Sequence, residues 1–263
     1  MKLSSHIVEK PWGKNDLPSG FANPNDLKIG EIWFDDDGAE LPLLVKWLFT
    51  SEKLSVQVHP NDNQAKQYGL SSGKEECWLI VDAQPDATIG LGTLRNIDAQ
   101  ELRALSLSGE IESLIDWKSV KAGDYYYVPA GTVHAIGGGV TLIEVQQNAD
   151  ITYRLYDYGR PRELHLKHGV EVSKAKPYDD ERSGRLDDKP YQKLASGAYF
   201  NLFYARGKAG CDAARNGKQS WLVPFSGTIN GNETLKTSDC GYMVFDENIS
   251  VSDDCQFLIA QAI

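Results

Sequence analysis

A chain of 263 residues, 41% of them hydrophobic, is long enough to bury a sizeable core, as one large domain or two small ones. A formal net charge of −10 argues against nucleic acid as a partner, which demands a basic face, while leaving room for an anionic substrate in a locally positive site. No window approaches 18 uninterrupted apolar residues and the first ten residues carry no apolar signal-peptide region, so no membrane partner is expected and a cytoplasmic location is the default.

In chain order the pattern is predominantly β. Strands are expected over 41–49, 54–58, 77–81, 125–128, 140–145 and 199–204, punctuated by turns rich in Gly, Pro, Asp and Asn. Helical patterns cover 63–68, 99–105 and 109–117, and 163–172 reads as a weaker one. Short strands at this frequency predict a barrel or sandwich of the jelly-roll kind. The segment from Ala175 to Asp188 is polar, has almost no apolar periodicity and reads as a linker. About 75 further residues of strand-like sequence follow it, with no histidine, so this second unit is not expected to hold a metal. Four cysteines (Cys77, Cys211, Cys240, Cys255) without a C-x-x-C pair read as reduced, structural thiols.

The stretch Leu54-Ser-Val-Gln-Val-His-Pro60 carries the strongest chemical signal. Strand alternation puts Gln57 and His59 on one face, with Leu54, Val56 and Val58 on the other. Glu76, in Gly73-Lys-Glu-Glu-Cys-Trp78, and His134, after the Pro129-Ala-Gly-Thr turn, complete a Gln/His/Glu/His set suited to zinc or a similar divalent ion. Glu75 competes with Glu76 for the carboxylate position, and as strand neighbours the two must face opposite ways. Glu144 lies in an apolar strand, where an unpaired carboxylate is expensive. Taken alone, Lys74 has a weaker alternative as a solvated turn lysine, and Arg154 one as a partner of Asp150 or Asp157. The basic run Arg160, Arg162, Lys167 and His168 fits either an attractor for phosphate or an ordinary solvated loop.

Four ordered blocks, Leu54 to Asp62, Gly73 to Trp78, Pro129 to Ala135 and Glu144-Val-Gln-Gln-Asn-Ala-Asp-Ile-Thr-Tyr-Arg-Leu-Tyr-Asp157, resemble the signatures of type I mannose-6-phosphate isomerases. Lys10-Pro-Trp-Gly13, Ile29-Gly-Glu-Ile-Trp33 and Leu41-Pro-Leu-Leu-Val-Lys46 extend the resemblance, which covers about residues 8 to 172. It implies a mainly β, cupin-type jelly-roll barrel over 1–175 with a short helical insertion near 98–117, a linker over 176–189, and a degenerate cupin-like β unit over 190–263. It further implies one Zn²⁺ per chain on Gln57, His59, Glu76 and His134, the family spacing favouring Glu76 over Glu75. Catalytic positions would be Lys74, Glu144, Asp150 and Arg154. The activity implied is aldose-ketose isomerisation between mannose 6-phosphate and fructose 6-phosphate through a cis-enediol, with a small sugar phosphate as partner.

The chain departs from the family at Lys14-Asn15, where further glycine is common, and at two other places, of which the loss of an insertion bears on substrate. Only 57 residues separate Glu76 from His134, where many members carry a larger helical insertion, and Ala149 stands where serine is common. Isomerisation of another aldose or phosphosugar is therefore a second reading. A non-catalytic, metal-retaining sugar-binding cupin is a third.

Overall fold

The computed structural model describes residues 1–36 and 40–263, and its architecture is mainly β and cupin-type. The first eleven strands are β1 (Ser4–Lys14), β2 (Ile29–Asp35), β3 (Leu43–Phe49), β4 (Val56–Val58), β5 (Glu76–Ala83), β6 (Thr88–Thr93), β7 (Ile115–Ser119), β8 (Asp124–Val128), β9 (His134–Ile136), β10 (Val140–Gln147) and β11 (Tyr153–Tyr156). Helices α1 (Asp62–Gln67), α2 (Ala99–Ser108), α3 (Ile111–Leu114) and α4 (Leu166–Val172) lie between and after them. The remaining elements are β12 (Gly184–Arg185), β13 (Tyr191–Ser196), β14 (Phe200–Arg206), α5 (Gly207–Ala214), β15 (Gln219–Ser226), β16 (Ile229–Asn230), β17 (Thr234–Leu235), β18 (Gly241–Val244), β19 (Ser250–Val251) and β20 (Gln256–Ala262).

Three antiparallel sheets stack in layers. A seven-stranded sheet ordered β1-β2-β3-β10-β5-β8-β12 packs against a five-stranded sheet ordered β11-β4-β9-β6-β7, with Leu48, Trp78, Ile80 and Leu142 of the first meeting Ile89, Leu91 and Ile136 of the second. Its opposite face, through Val45, Trp47, Phe49, Cys77, Leu79 and Val145, packs on the sheet ordered β13-β14-β20-β15-β18, which supplies Leu202, Trp221, Val223 and Leu258. The central sheet is therefore covered on both faces. This explains why β3, Leu-Leu-Val-Lys-Trp-Leu-Phe, and β10, Val-Thr-Leu-Ile-Glu-Val-Gln-Gln, are buried along their whole length rather than at alternate residues. At about 1.5–3 kcal/mol for each large apolar side chain removed from water, these two interfaces dominate the favourable side of folding.

That double burial dictates the site. Alternation sends Val45, Trp47, Ile143 and Val145 to one face, so Lys46, Glu144 and Glu76 must enter the space between the first two sheets. Lys46 is directly opposite Glu144, which is opposite Trp78, while Gln146 is opposite Glu76.

The 109–117 pattern divides into α3 and β7. Gly109 ends α2 in a left-handed conformation (φ +82°), and Ile115–Ser119 then pairs with Thr88–Thr93. Residues 176–189 are held against the central sheet. Tyr178 Oη donates to the Tyr127 carbonyl, the Arg182 guanidinium lies 3.7 Å from the centre of the Tyr127 ring, and β12 pairs with β8. All four cysteines are free and buried. Among the described residues no helix is long and apolar enough to cross a membrane.

Candidate metal centre and active-site pocket

Gln57 of β4 stands between His134 of β9 and Arg154 of β11 in one row across the second sheet. His59 leaves the end of β4, and a turn brings His134 to it. Gly131 N donates to the His59 carbonyl at 2.9 Å, with Gly131 at φ +89°, and Thr132 N closes the turn onto the Pro129 carbonyl at 3.1 Å.

Lys74 and Glu76 arrive from the opposite sheet. Asp62 accepts from Gly73 N (2.8 Å) and from Gln147 Nε2 (3.0 Å), Gln147 Oε1 accepts from Glu75 N (3.0 Å), and Lys74 N donates to the Pro60 carbonyl (3.0 Å). Gly73 lies so close to this chain segment that a Cβ there would sit 2.5 Å from the Pro60 oxygen. The His-Pro-Asn-Asp and Gly-Lys-Glu-Glu blocks are thus two halves of one clamp, capped by Asn61 at the start of α1.

Within it, His59, Glu76 and His134 bring one ligand atom each to within 4.8 Å of the others, all three side chains being buried. His59 Nε2 is 3.5 Å from Glu76 Oε2 and His134 Nε2 is 3.4 Å from Glu76 Oε1. The two Nδ1 atoms face the carbonyls of Ile151 (2.7 Å) and Thr132 (2.9 Å). A carbonyl only accepts, so each Nδ1 carries the ring proton and each Nε2 presents a lone pair. Burial keeps both rings neutral, lowering His59 to about 3 and His134 below its ordinary value. Neither Glu76 oxygen receives a well-aligned hydrogen bond, although both are fully buried. Two imidazole lone pairs and a carboxylate brought this close repel one another unless a cation offsets them, a part the Lys74 ammonium plays here, and the donor set itself fits a divalent ion of the zinc type. Gln57 lies beside it, with Nε2 3.2 Å from His134 Nε2 and Oε1 accepting from Ser55 Oγ at 3.1 Å. Glu75 points away, and its carboxylate accepts from Tyr127 Oη.

A cavity of about 320 Å³ opens beside this cluster, with Lys46, Gln57, Lys74, Glu144, Asp150 and Arg154 in its wall. Lys74 Nζ lies 2.8 Å from Glu76 Oε2, 3.3 Å from His59 Nε2 and 3.6 Å from Glu144 Oε1. Burial opposes the charge on Lys74, but Glu144 and Glu76 outweigh it and raise its pKa. Glu144 takes a hydrogen bond from Trp78 Nε1 at 3.0 Å; burial and the neighbouring Glu76 push its carboxyl upward against the pull of Lys74 and Lys46. Glu76 is held well below the usual carboxylate range, its burial overcome by the Lys74 ammonium. Asp150 is exposed at the rim. Arg154 Nε donates to the Glu163 carbonyl at 3.0 Å, while Asp157 is engaged by Arg160 and Arg162. Lys167 is exposed, and His168 stacks edge-on against Tyr68.

Lys10, Trp12, Glu31 and Lys46 also line the cavity, beyond the residues that the sequence motifs mark as site residues. A lysine inside the apolar run of β3 was the available signal, since a buried ammonium demands a partner.

A buried His/Glu/His cluster that could hold a metal ion, beside a polar cavity in a mainly β, cupin-type fold, marks the class: β proteins with a candidate metal site next to a small-molecule pocket. Comparison with known proteins narrows it. The family model for the catalytic domain of type I phosphomannose isomerase matches residues 4–94. The chain is 42% identical over 176 residues to mannose-6-phosphate isomerase ManA of Bacillus subtilis, covering 63% of this chain and 56% of that protein. It is 35% identical over 220 residues to the putative mannose-6-phosphate isomerase YvyI of the same species, covering 80% and 68%. A solved structure of the Bacillus subtilis mannose 6-phosphate isomerase superposes with a TM-score of 0.81 at 27% identity, covering 99% of this chain and 98% of that one. The chain belongs to the type I phosphomannose isomerase family. By sequence it spans just over half the length of the first of these relatives.

Proposed function

We propose that the protein interconverts mannose 6-phosphate and fructose 6-phosphate through a cis-enediol, with one Zn²⁺ held by Gln57, His59, Glu76 and His134. The observation that carries this reading is the convergence of two Nε2 lone pairs and both Glu76 oxygens beside a cavity walled by Lys74, Glu144 and Arg154. For Gln57 to serve as a ligand its amide turns over, presenting Oε1 where Nε2 now faces His134. When bound, the ion supplies Lewis-acid stabilisation of the charge that develops on the sugar oxygens.

The chain's own residues do the rest. Moving a proton between C1 and C2 calls for a carboxylate whose pKa lies nearer neutrality than usual, and Glu144, raised by burial and by Glu76, has that property. Trp78 Nε1 fixes one of its oxygens and leaves Oε1 toward Lys74. Lys74 keeps its positive charge and offsets the negative charge of the enediolate. Arg154, which lines the cavity wall with Asp150, would receive the phosphate and orient the sugar chain inward.

The test is a coupled assay of mannose 6-phosphate conversion before and after chelation, with zinc added back and with glucose 6-phosphate and free mannose as competing substrates. Activity that disappears and returns supports the reading. Turnover of an unphosphorylated sugar alone, or none in zinc-loaded protein, refutes it.

A further inference from the structure

The three upstream motifs are not accounted for by the metal centre or the proposed chemistry, yet each sends a charged residue into the same cavity. Lys10, Glu31 and Lys46 come from β1, β2 and β3, next to one another in the central sheet. Together with Glu144, Lys74 and Glu76 they form a ladder of alternating charge. Lys10 Nζ is 3.3 Å from Glu31 Oε1, Glu31 Oε2 is 3.9 Å from Lys46 Nζ, and Lys46 Nζ is 3.5 Å from Glu144 Oε1. Glu144 Oε1 then meets Lys74 at 3.6 Å, and Lys74 meets Glu76 at 2.8 Å. Glu31, Lys46, Glu144, Lys74 and Glu76 are all buried.

Cross-strand register explains why the ladder is regular. Trp33, Lys46, Glu144 and Trp78 are successive opposite partners across β2, β3, β10 and β5. Each tryptophan N–H secures one carboxylate: Trp33 Nε1 donates to Glu31 Oε2 and Trp78 Nε1 to Glu144 Oε2. The ring of Trp33 also lies under the Lys46 ammonium, 4.3 Å from its centroid. Lys46 Nζ thus has Glu144, Glu31 and the indole around it, none at a short hydrogen-bonding distance, while the Lys74 ammonium repels it and Asp150 attracts it from further off, so its place is set by charge balance. Glu144 Oε1 in turn sits between two ammonium groups, and its direction depends on both.

We propose that Glu31 is a positioning residue: through Lys46, it sets the direction of Glu144 Oε1 in the cavity. Without the Glu31 charge, Lys46 closes on Glu144 as its remaining carboxylate and draws Oε1 away from Lys74. The kinetic consequence rests on the isomerase reading; the geometric one does not.

The decisive experiment pairs a crystal structure of zinc-loaded Glu31→Gln with its kinetics on mannose 6-phosphate. The structure should show the Lys46–Glu144 distance shortened and the Glu144–Lys74 distance lengthened; both unchanged would overturn the proposal whether or not the wild type turns over this sugar. Given an active wild type, kcat should fall at least tenfold, with KM within twofold and one zinc per chain retained. Glu31→Gln combined with Lys46→Ala should be no slower than Lys46→Ala alone, whereas multiplying losses would overturn the coupling. Should Glu31→Gln fail to fold, Trp33→Phe, which removes the indole N–H that orients Glu31, must displace Lys46 in the same sense; an unmoved lysine there refutes the proposal.

Discussion

Replacing Lys74 by alanine should make the protein slower and yet a tighter binder of zinc. Lys74 Nζ lies 2.8 Å from Glu76 Oε2 and 3.3 Å from His59 Nε2, so its ammonium competes for the atoms that would hold the ion. Removing one partner of a buried ion pair costs about 3–5 kcal/mol, and Glu76, with no exposed surface, is such a partner. Protonation of Glu76 relieves some of that, so the lower end, about 3 kcal/mol, is the appropriate figure for chelated protein. With zinc bound, Glu76 is neutralised by the ion and Glu144 still has Lys46, so most of the penalty disappears. At a fixed free zinc concentration, Lys74→Ala should therefore bind zinc about 100-fold more tightly than wild type. In calorimetry, zinc at about 100 times Kd stabilises wild type by about 2.7 kcal/mol, or roughly 5–11 °C in a chain of this size. The rise for Lys74→Ala at the same free zinc should be larger by roughly 6–12 °C, its chelated form melting lowest of all. Equal zinc-induced rises in the two proteins, with metal content verified, would refute the account of Lys74 as a competing cation.

The clamp that presents Lys74 should fail when Gln147 becomes alanine: an acceptor for Glu75 N and a donor to Asp62 are lost, which costs about 2 kcal/mol in urea unfolding and lowers kcat. Acid should destabilise the fold partly through Glu31. Its burial is outweighed by Lys46 and Lys10, and its carboxyl is held below the usual range, so its contribution is complete above about pH 4.5 and is lost as pH falls through the depressed value. The stability gap between wild type and Glu31→Gln should close over that interval in denaturant titrations at successive pH; a constant gap would exclude this origin. Burial raises all four thiols, Cys255 up to about 12, so Ellman's reagent at pH 8 should label the native protein slowly and all four cysteines quickly in urea, and one fast equivalent in the native state would contradict the packing.

What the sequence shows clearly is local. The alternation in Leu54 to Val58 and the Pro-Ala-Gly-Thr turn before His134 each fix a side chain within a few residues, and the structure has β4 and β9 there. Strands β1, β2 and β6 are less legible. In β6, Thr-Ile-Gly-Leu-Gly-Thr, two glycines imitate a turn, yet Gly90 is a packing device: a Cβ there would sit 2.3 Å from Ile115 Cγ2 on β7. The same contact accounts for the helical reading of 109–117, because apolar Ile111, Leu114 and Ile115 fit a helical stripe until the β6 edge claims Ile115.

The charged wall of the cavity was hidden for a different reason. A lysine in β3 and a glutamate in β10 are each conspicuous in an apolar strand, and burial physics demands a partner for both. Sequence order does not supply it, because β3 reaches β5 through β10 and the pairing of Lys46 with Glu144 exists only once that order is set. The ladder also reverses the usual relation between fold and site: its members other than Lys10 are buried because the central sheet is covered on both faces, and a sheet with one solvated face would let water screen each pair separately. Burying the sheet twice is what lets a charge on β1 or β2 influence a carboxylate on β10. The third layer, which contributes no residue to the cavity wall, therefore bears on its electrostatics by keeping water from the back of β3, β10 and β5.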